Sequence, residues 1–464
     1  MKFHLLMMTG LFCVLSVRAQ ENLGIANSNY APTNSMLLNP ASVVNSKTYL
    51  DINLVGASAY ARNNLAYLPK SQFYFPRDIW SLNIPEPSYN TSNNRIKGYL
   101  DAGIQGPSAT LQWGKHAFGF YTGARSVTSV KRIPGYLARV VIDGADPSET
   151  DYREYNDRNV RAKSMTWGEV GLSYSTILSQ KNKDMWTGGI TLKRLYGLQS
   201  TSFILERADI TTNENNQVQI NELRGKYANA DFNFRAGRGW STDIGVTYQK
   251  MLEDVTRYVP HLTRYGCDHI NYKYKIGASL LDAGYIRFKN GATAREFERT
   301  TQVQNVEDID DPDELTQVSP ESGTFTEKFR FTNQTPMAIS GQFDYNFEND
   351  FYINATVVQT LVHPRNYGPE RANLLSITPR YERRFFEAAM PLSLHQYTSP
   401  QVGLAFRFAY LVIGTDNVVP FLFKTDVYSA DVYFSLKYSL FNNPGCKSRS
   451  GRQSKKKCPG PAGS

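Results

Sequence analysis

The sequence predicts an all-β protein, a transmembrane antiparallel β-barrel of about 14 strands with a short N-terminal plug segment. Three observations predict this fold class. Segments of about ten residues alternate between apolar and polar side chains, tight turns alternate with long polar loops, and the aromatic content is 13%. A barrel in an outer membrane has all three features, because its strands face lipid on one side and a polar lumen on the other. After the N-terminus, no run of apolar residues approaches the roughly 20 that a membrane-spanning helix needs.

Residues 1–19 have the pattern of a secretory signal peptide. Lys2 opens a short charged region, residues 5–17 are apolar, and Ala19 is a small residue at the predicted cleavage point. Cys13 is a poor lipidation site because it lies within the apolar region and follows a phenylalanine. An exported chain with a barrel pattern is expected in the cell outer membrane of a Gram-negative type envelope.

The mature chain divides into three parts. Residues 20–46 are polar and irregular and include Asn39, Pro40 and Ala41, so they are predicted to form a periplasmic or plug segment. Residues 47–441 are predicted to be the barrel, and residues 442–464 a basic, disordered periplasmic tail.

The barrel region contains a series of alternating segments. They span residues 48–61, 108–113, 117–124, 166–178, 186–195, 227–236, 241–250, 271–288, 337–346, 351–361, 374–382, 386–395, 401–413 and 430–441.

Long loops are predicted for residues 62–106, 125–163 and 197–226. The strand count depends on residues 271–288, which give about 14 strands if unbroken and about 15 if they break at residues 282–284. Single-chain barrels normally have an even number of strands, which favours one unbroken strand. The side of the membrane on which the loops after residue 290 lie stays open.

The last segment, residues 430–441, alternates without interruption. Val432 and Phe434 fall on one face, Asp431 and Lys437 on the other, as successive side chains of a strand do. The segment ends on the aromatic residue Phe441, which resembles the signal by which outer-membrane barrels are recognised for assembly. We expect it to close the ring by pairing with residues 48–61.

Charged positions within the strands are predicted to face the lumen, because a lysine or arginine facing lipid at mid-depth costs roughly 2–4 kcal/mol. These positions are Lys273, Lys275, Asp344, Arg407, Asp431 and Lys437.

The sequence contains no motif of a serine hydrolase elbow, a phosphate-binding loop or a zinc protease. His261, Cys267 and His269 lie close together, but their spacing matches no standard metal site, so a solvated loop is the favoured interpretation. The acidic run at residues 307–314 lacks the glycine of a calcium loop. We therefore expect no catalytic, cofactor-binding or metal residues, and no enzyme activity.

The net charge of +9 is concentrated after Phe441, so it does not indicate nucleic-acid binding. The basic tail is either a disordered extension or a docking segment for an acidic partner or the cell wall. Cys446 and Cys458 flank much of it, and whether they are bonded stays open. The tail cations are Lys447, Arg449, Arg452, Lys455, Lys456 and Lys457.

Residues 37–41, Leu-Leu-Asn-Pro-Ala, resemble the Asn-Pro-Ala box at the N-terminus of FadL-type barrels. The same box occurs in the PorV-type and PorP/SprF-type barrels linked to type IX secretion and gliding. Residues 271–290 and 403–417 also resemble these barrels. The resemblance implies a barrel with an N-terminal hatch, no enzyme activity and no cofactor.

The favoured function is that of a non-enzymatic partner or scaffold barrel in protein export or surface display, in contact with outer-membrane lipid and with other outer-membrane or periplasmic proteins. The alternative is a FadL-like channel for the uptake of hydrophobic small molecules. A soluble secreted β-protein is a third possibility. The channel interpretation predicts an apolar pocket or a wall gap beside Asn39, Pro40 and Ala41, whereas a lumen packed with polar side chains would argue against it.

Overall fold

The computed structural model of the chain describes residues 22–70, 86–90, 95–135, 153–212, 217–262, 269–299, 302–305, 323–422 and 425–444. Strands dominate these ranges, and three single-turn helices, Pro32–Ser35, Pro40–Ser42 and Val419–Leu422, complete them. The strands are β1 (Leu50–Asn63), β2 (Ala66–Tyr67), β3 (Ser88–Tyr89), β4 (Arg95–Gln105), β5 (Ser108–Trp113), β6 (His116–Pro134), β7 (Arg153–Lys181), β8 (Asp184–Thr212), β9 (Gln217–Ala230), β10 (Gly237–Met251), β11 (Tyr272–Phe288), β12 (Ala292–Arg299), β13 (Gln302–Asn305), β14 (Gly323–Lys328), β15 (Phe331–Gln334), β16 (Ala338–Asn346), β17 (Phe351–Thr360), β18 (Leu374–Glu382), β19 (Phe386–Ala389), β20 (Leu392–His395), β21 (Ser399–Val402), β22 (Leu404–Phe408), β23 (Leu411–Thr415) and β24 (Ser429–Leu440).

The antiparallel ladder closes on itself. β1 pairs with β24 from Leu50 opposite Leu440 to Arg62 opposite Ser429. Closure gives the edge strands partners, which backbone N–H and C=O groups need when no water is present. The predicted pairing between residues 48–61 and residues 430–441 is confirmed.

The barrel has 14 strands, as predicted. β11 is unbroken over residues 272–288, and Asp282, at a φ of 49°, lies at a register shift in its pairing with β10. Six of the barrel strands consist of consecutive segments with short interruptions: β4 with β5, β9 with β10, β11 with β12 and β13, β14 with β15 and β16, β19 with β20, and β21 with β22.

The outer face of the barrel carries an apolar belt. On β8, Ile190 and Leu192 are exposed, and aromatic residues bound them at Trp186 and Tyr196. About ten residues separate the two aromatic positions, the length of strand that crosses a bilayer. The side chains that alternate with these exposed residues along β8, such as that of Lys193, are buried inside the barrel. An apolar exterior around a polar interior is the arrangement required in lipid.

The prediction of long loops at residues 125–163 and 197–226 is wrong for the parts that the structure describes, residues 125–135, 153–163, 197–212 and 217–226. β7 and β8 each contain 29 residues and continue well beyond the apolar belt, paired with each other and with β6 and β9. Outside the membrane the outward-facing positions can be charged, as at Arg207 and Arg224, so the alternation that marks a membrane strand is lost there although an apolar cluster with Leu205 and Leu223 stays buried.

The two ends of the barrel differ in their connections. The end that we call the turn rim has connections of two to four residues at 114–115, 182–183, 347–350, 383–385 and 409–410. The opposite end, the loop rim, has longer connections such as residues 361–373 and 416–428. No helix within the described ranges has the length and hydrophobicity to cross a membrane.

Candidate functional site

Residues 22–49, which we call the plug, lie inside the barrel. Apolar and polar side chains of the plug are buried alike. Turns within the plug satisfy many of its backbone N–H groups, such as those of Met36 and Asn39, and its remaining buried polar groups need partners from the surrounding wall. Its buried polar side chains include Ser28, Asn29, Thr33, Asn34, Asn39 and Asn45.

Asn39 organises the middle of the plug. Its Oδ1 accepts a hydrogen bond from the Ala41 N–H at 3.0 Å and so caps the short helix Pro40–Ser42. Proline suits the first helical position because it has no N–H to leave unpaired. The Nδ2 group of Asn39 then donates to Oε1 of Gln342 at 3.0 Å and to the carbonyl oxygen of Val246 at 3.3 Å.

Three glycines on neighbouring strands form a seat for this part of the plug: Gly189 on β8, Gly245 on β10 and Gly277 on β11. A Cβ atom at Gly245 would lie 2.1 Å from Oδ1 of Asn39. A Cβ atom at Gly189 would lie 2.5 Å from the carbonyl carbon of Pro40. The backbone of the plug can approach the wall this closely because the wall has no side chains at these positions.

Hydroxyl groups beside this glycine seat bind the plug backbone. Thr187 Oγ1 donates to the carbonyl oxygen of Ala41 at 2.8 Å, and Ser279 Oγ donates to that of Leu38 at 2.6 Å. These bonds replace the water that an irregular backbone would otherwise need.

A chain of ion pairs joins the plug to the wall near the turn rim. Lys47 of the plug lies 3.3 Å from Glu382, and Nδ2 of Asn29 donates to the same carboxylate at 3.0 Å. Arg380 pairs with Glu382 at 3.0 Å and with Asp344 at 2.7 Å. The carboxylate of Glu382 thus binds plug and wall at once.

A second wall ion pair is completed by a plug hydroxyl. Arg407 lies 3.0 Å from Glu387, and Ser28 Oγ donates to the same carboxylate at 2.7 Å. The guanidinium group of Arg407 also lies 4.9 Å from the ring centre of Tyr30.

A third ion pair of the wall also binds the plug. Lys437 lies 2.9 Å from Asp51, whose carboxylate accepts from Thr33 Oγ1 at 2.6 Å. Nζ of Lys437 also donates to Oδ1 of Asn34 at 2.7 Å. Three separate ion pairs of the wall therefore depend on polar groups of the plug.

The prediction that Lys273 faces the lumen is wrong. A register shift between β10 and β11 beside Tyr272 interrupts the alternation. Tyr272 and Lys275 both contact Asp344, but Lys273 pairs with Glu348 at 2.6 Å on the outer side of the turn rim.

The other predicted positions, Lys275, Asp344, Arg407, Asp431 and Lys437, lie inside the barrel. The structure does not bring them together at one site. They belong to the separate ion pairs described above and, for Asp431, to the gap described below.

A second charged layer lies beyond the plug, and the sequence did not point to it. Asp282 lies 2.8 Å from each of Arg125, Lys193 and Arg371, and Lys193 also lies 2.6 Å from Asp243. The five residues come from distant parts of the chain, and Arg125 was assigned to a loop. No local motif links them.

Little space remains beside Asn39. A cavity of about 10 Å³ lies between the plug and the wall, lined by residues that include Asn27, Leu38 and Thr247. This is room for about one water molecule. Among the described residues, this cavity is too small to be the apolar pocket that the channel interpretation predicted beside Asn39, Pro40 and Ala41.

The hydrogen-bonded ladder of the wall is interrupted beside the N-terminal end of the plug. Pairing between β23 and β24 ends at Gly414 opposite Tyr433. Beyond that point, side chains bridge the two strands: Asn417 Nδ2 donates to Ser429 Oγ at 2.6 Å, and Asp431 accepts from the N–H of Asp416. We call this interruption the wall gap.

The first residues of the plug lie against the wall gap. The N–H of Leu23 donates to Oδ2 of Asp416 at 3.1 Å, and Gly24 fits so tightly that a Cβ atom there would lie 2.3 Å from Cβ of Ala405. An apolar cluster lies beneath, formed by Ile25, Ala31, Ala389, Ala405, Val412 and Tyr433.

Two histidines from the connection between β10 and β11 hold the end of the plug. Nε2 of His261 lies 3.0 Å from the carbonyl oxygen of Ser46, and Nε2 of His269 lies 2.9 Å from that of Asn45. Burial, together with the charge of Lys47, lowers the pKa of His269 to about 3. Burial also lowers the pKa of His261. The solvated-loop interpretation is therefore wrong for these two residues.

Phe441 directly follows β24, and its ring lies 5.8 Å from that of Tyr30 and 5.3 Å from that of Phe385.

In the part of the chain that the structure describes, no group of three or more His, Cys, Asp or Glu side chains could hold a metal ion. Several predicted features lie outside the described residues: residues 1–19, Cys267, residues 307–314, Cys446, Cys458 and the basic tail with Lys447, Arg449, Arg452, Lys455, Lys456 and Lys457.

The model of one protein family matches residues 40–416, which is most of the chain. The chain belongs to the family of unknown function DUF5723. The matched region of this DUF5723 protein begins at Pro40, so it includes part of the Asn-Pro-Ala box and runs to Asp416 at the wall gap. No curated protein matches the chain.

Solved structures to which the chain is similar include that of the toluene transporter TbuX of Ralstonia pickettii. The match has 9% sequence identity and covers 92% of this chain and 99% of that one, at a TM-score of 0.42. The toluene transporter TodX of P. putida has 10% identity over 88% of this chain and 94% of that one, at a TM-score of 0.40. A FadL homologue of Pseudomonas aeruginosa has 9% identity over 92% of this chain and 99% of that one, at a TM-score of 0.25.

Replacing Gly245 by alanine is expected to loosen the centre of the plug, because the new Cβ atom collides with Oδ1 of Asn39. Hydrogen exchange followed by mass spectrometry should show faster exchange of the amides of residues 38–43 than in the unmodified chain. Gly168→Ala is the matched control, since its Cβ atom would meet nothing closer than 3.9 Å. Equal exchange in Gly245→Ala and Gly168→Ala would contradict the glycine seat.

The pKa of His269 is lower in the folded chain than the 6.5 of a free histidine, so the unfolded chain binds the extra proton. Stability is therefore expected to fall as the pH drops from about 6.5 towards 3. The melting temperature of the double variant His261→Gln/His269→Gln should fall less between pH 7 and pH 4 than that of the unmodified chain. Glutamine keeps an N–H donor for the plug carbonyls. His363→Gln, at an exposed position, is the control. An unchanged pH dependence in the double variant would count against the role of these histidines.

Proposed function

We propose that this chain is a channel of the outer membrane for small apolar molecules, and that the plug holds it closed. The observation that carries the proposal is the wall gap beside the first residues of the plug. The apolar residues on both sides of that gap indicate that the solute is hydrophobic.

Apolar groups flank the wall gap on both sides. Outside, Leu411, Ile413 and Val432 are exposed in the lipid-facing belt. Inside, Ile25 and Val412 belong to the apolar cluster beneath the gap. A solute that leaves or enters sideways at this level would meet apolar surface on both sides, whereas a path through the lumen below would pass the buried ion pairs of Asp51, Glu382 and Glu387.

The bonds that close the gap suit a gate. Backbone pairing joins β23 to β24 as far as Gly414, but beyond it two contacts that involve side chains replace the ladder, Asn417 with Ser429 and the N–H of Asp416 with Asp431. Side chains can rotate without breaking the barrel ladder. Withdrawal of Leu23 from the Asp416 carboxylate would remove part of the floor beneath the gap.

The proposal includes export by the predicted signal peptide at residues 1–19 and location in the outer membrane, with the turn rim in the periplasm. The barrel with its apolar belt supports a membrane location. The tight turns support the periplasmic side for the turn rim, because outer-membrane barrels have short periplasmic turns and longer outer loops.

A second candidate function is the scaffold or partner barrel in protein export or surface display, as in PorV-type and PorP/SprF-type barrels. The ion-paired, closely packed plug supports it, because a scaffold needs no open lumen. In this case the basic residues after Phe441 would dock a periplasmic partner.

Locking the wall gap tests the channel. Gln401 Nε2 lies 3.5 Å from Ser429 Oγ across it. In a background with the native cysteines replaced, Gln401→Cys/Ser429→Cys joined by a short thiol crosslinker is expected to slow entry of a small apolar fluorescent probe into intact cells severalfold. Reduction of a cleavable crosslinker should restore entry.

The control is Thr128→Cys/Ser164→Cys, whose hydroxyls lie 2.9 Å apart within the intact ladder of β6 and β7. Crosslinking this control pair should not change entry. If the pair at the wall gap also has no effect, the sideways route is wrong and the scaffold interpretation is favoured.

A further inference from the structure

A second feature of the barrel lies on its outer face at the loop rim, where β10 and β11 leave the apolar belt. Basic and aromatic residues gather there, on the side of the wall opposite to the plug. We call this group the rim patch, and it consists of Phe232, Phe234, Arg235, Arg238, Arg287 and Lys289.

Two arginines form the centre of the rim patch. Arg238 on β10 lies directly opposite Arg287 on β11 in the ladder. Arg238 lies two positions before the exposed Trp240, and Arg287 lies two positions after the exposed Tyr285, so each arginine shares the face of its aromatic residue. Aromatic residues at this position mark the boundary between the lipid chains and the headgroups, so both guanidinium groups lie at headgroup level.

The charges of the rim patch are not balanced. Like charges directly opposite each other in a sheet are destabilising. Among the described residues, no carboxylate forms an ion pair with Arg235, Arg238, Arg287 or Lys289. Three outward-facing cations at the turn rim contrast with this, because each has a carboxylate partner: Lys250 with Asp184 at 2.8 Å, Lys273 with Glu348 at 2.6 Å and Arg383 with Asp350 at 2.8 Å.

An aromatic bulge adjoins the paired arginines. Residues 231–236 interrupt the strand between β9 and β10, and within them Phe232 and Phe234 are 59% and 76% exposed. Their ring centroids lie 5.4 Å apart. The next residue but one, Ala236, is fully buried in the core of the wall, which fixes the base of the bulge.

We propose that the rim patch binds an anionic lipid whose headgroup carries a phosphate group, in the leaflet that meets the loop rim. The planar guanidinium groups of Arg238 and Arg287 suit bidentate contacts to phosphate oxygens. A phosphate between them offsets their repulsion. Phe232 and Phe234 contact the apolar part of the same lipid, which a free anion does not have.

The test uses the full chain in phosphatidylcholine vesicles that contain a brominated probe lipid, either phosphatidic acid or phosphatidylcholine. Bromine quenches tryptophan fluorescence at short range, and the signal of Trp240 is the difference between the chain and its Trp240→Phe variant. Half-maximal quenching is expected at a severalfold lower mole fraction of brominated phosphatidic acid than of brominated phosphatidylcholine. Equal quenching by the two lipids would overturn the proposal.

The variant Arg238→Gln/Arg287→Gln should lose the preference for phosphatidic acid. Lys250→Gln/Lys273→Gln, at the turn rim, should keep it. Loss of the preference in both double variants would mean a general charge effect and would overturn the proposal. If Arg238→Gln/Arg287→Gln does not fold, the comparison of the two lipids on the unmodified chain remains decisive. Full loss of the preference in millimolar inorganic phosphate would show a site for the free ion and would overturn the assignment to a lipid.

Discussion

The need to pair charges inside the barrel governs the arrangement of this protein. Asp51, Glu382 and Glu387 are wall carboxylates in a space enclosed by lipid. Each has a cationic partner on the wall, and each also accepts a hydrogen bond from the plug. The plug is therefore part of the electrostatic structure of the wall as well as a stopper. Plug and wall satisfy each other's polar groups.

This mutual dependence has consequences for opening. A buried ion pair adds little net stability, because the cost of removing two charges from water offsets their attraction, but the loss of one partner costs about 3–5 kcal/mol. A plug that left the barrel without replacement would expose several carboxylates at once. Movement confined to Leu23 and Gly24 would leave the contacts of Asn29, Thr33 and Lys47 intact. A small shift beside the wall gap is thus energetically more accessible than expulsion of the whole plug.

The sequence predicted those parts of the fold that lipid imposes on it. Alternation at residues 430–441 predicted both the belt and the closing pair, because a face in lipid must be apolar. Outside the lipid that constraint ends, so the long upper parts of β7 and β8 were taken for loops. Lys273 was misplaced because a register shift changes the alternation without leaving a mark in the local pattern.

The candidate site was harder to predict than the fold. The Asn-Pro-Ala box was visible, but its seat consists of Gly189, Gly245 and Gly277, and glycine gives no signal of what it leaves room for. The cluster around Asp282 and the wall gap at Asp416 depend on strands that are far apart in the chain. Only the closed ring brings these residues together.

The central claim is that residues 22–46 close the lumen through contacts with the wall. Conductance of single molecules in a planar lipid bilayer tests it most directly, with the full chain compared with a chain that lacks residues 22–46. Heat-dependent migration in detergent gels shows first that both form barrels. The full chain is expected to be silent, and the shortened chain to carry a steady ion current. A silent shortened barrel, or an equal current through both, would contradict the account.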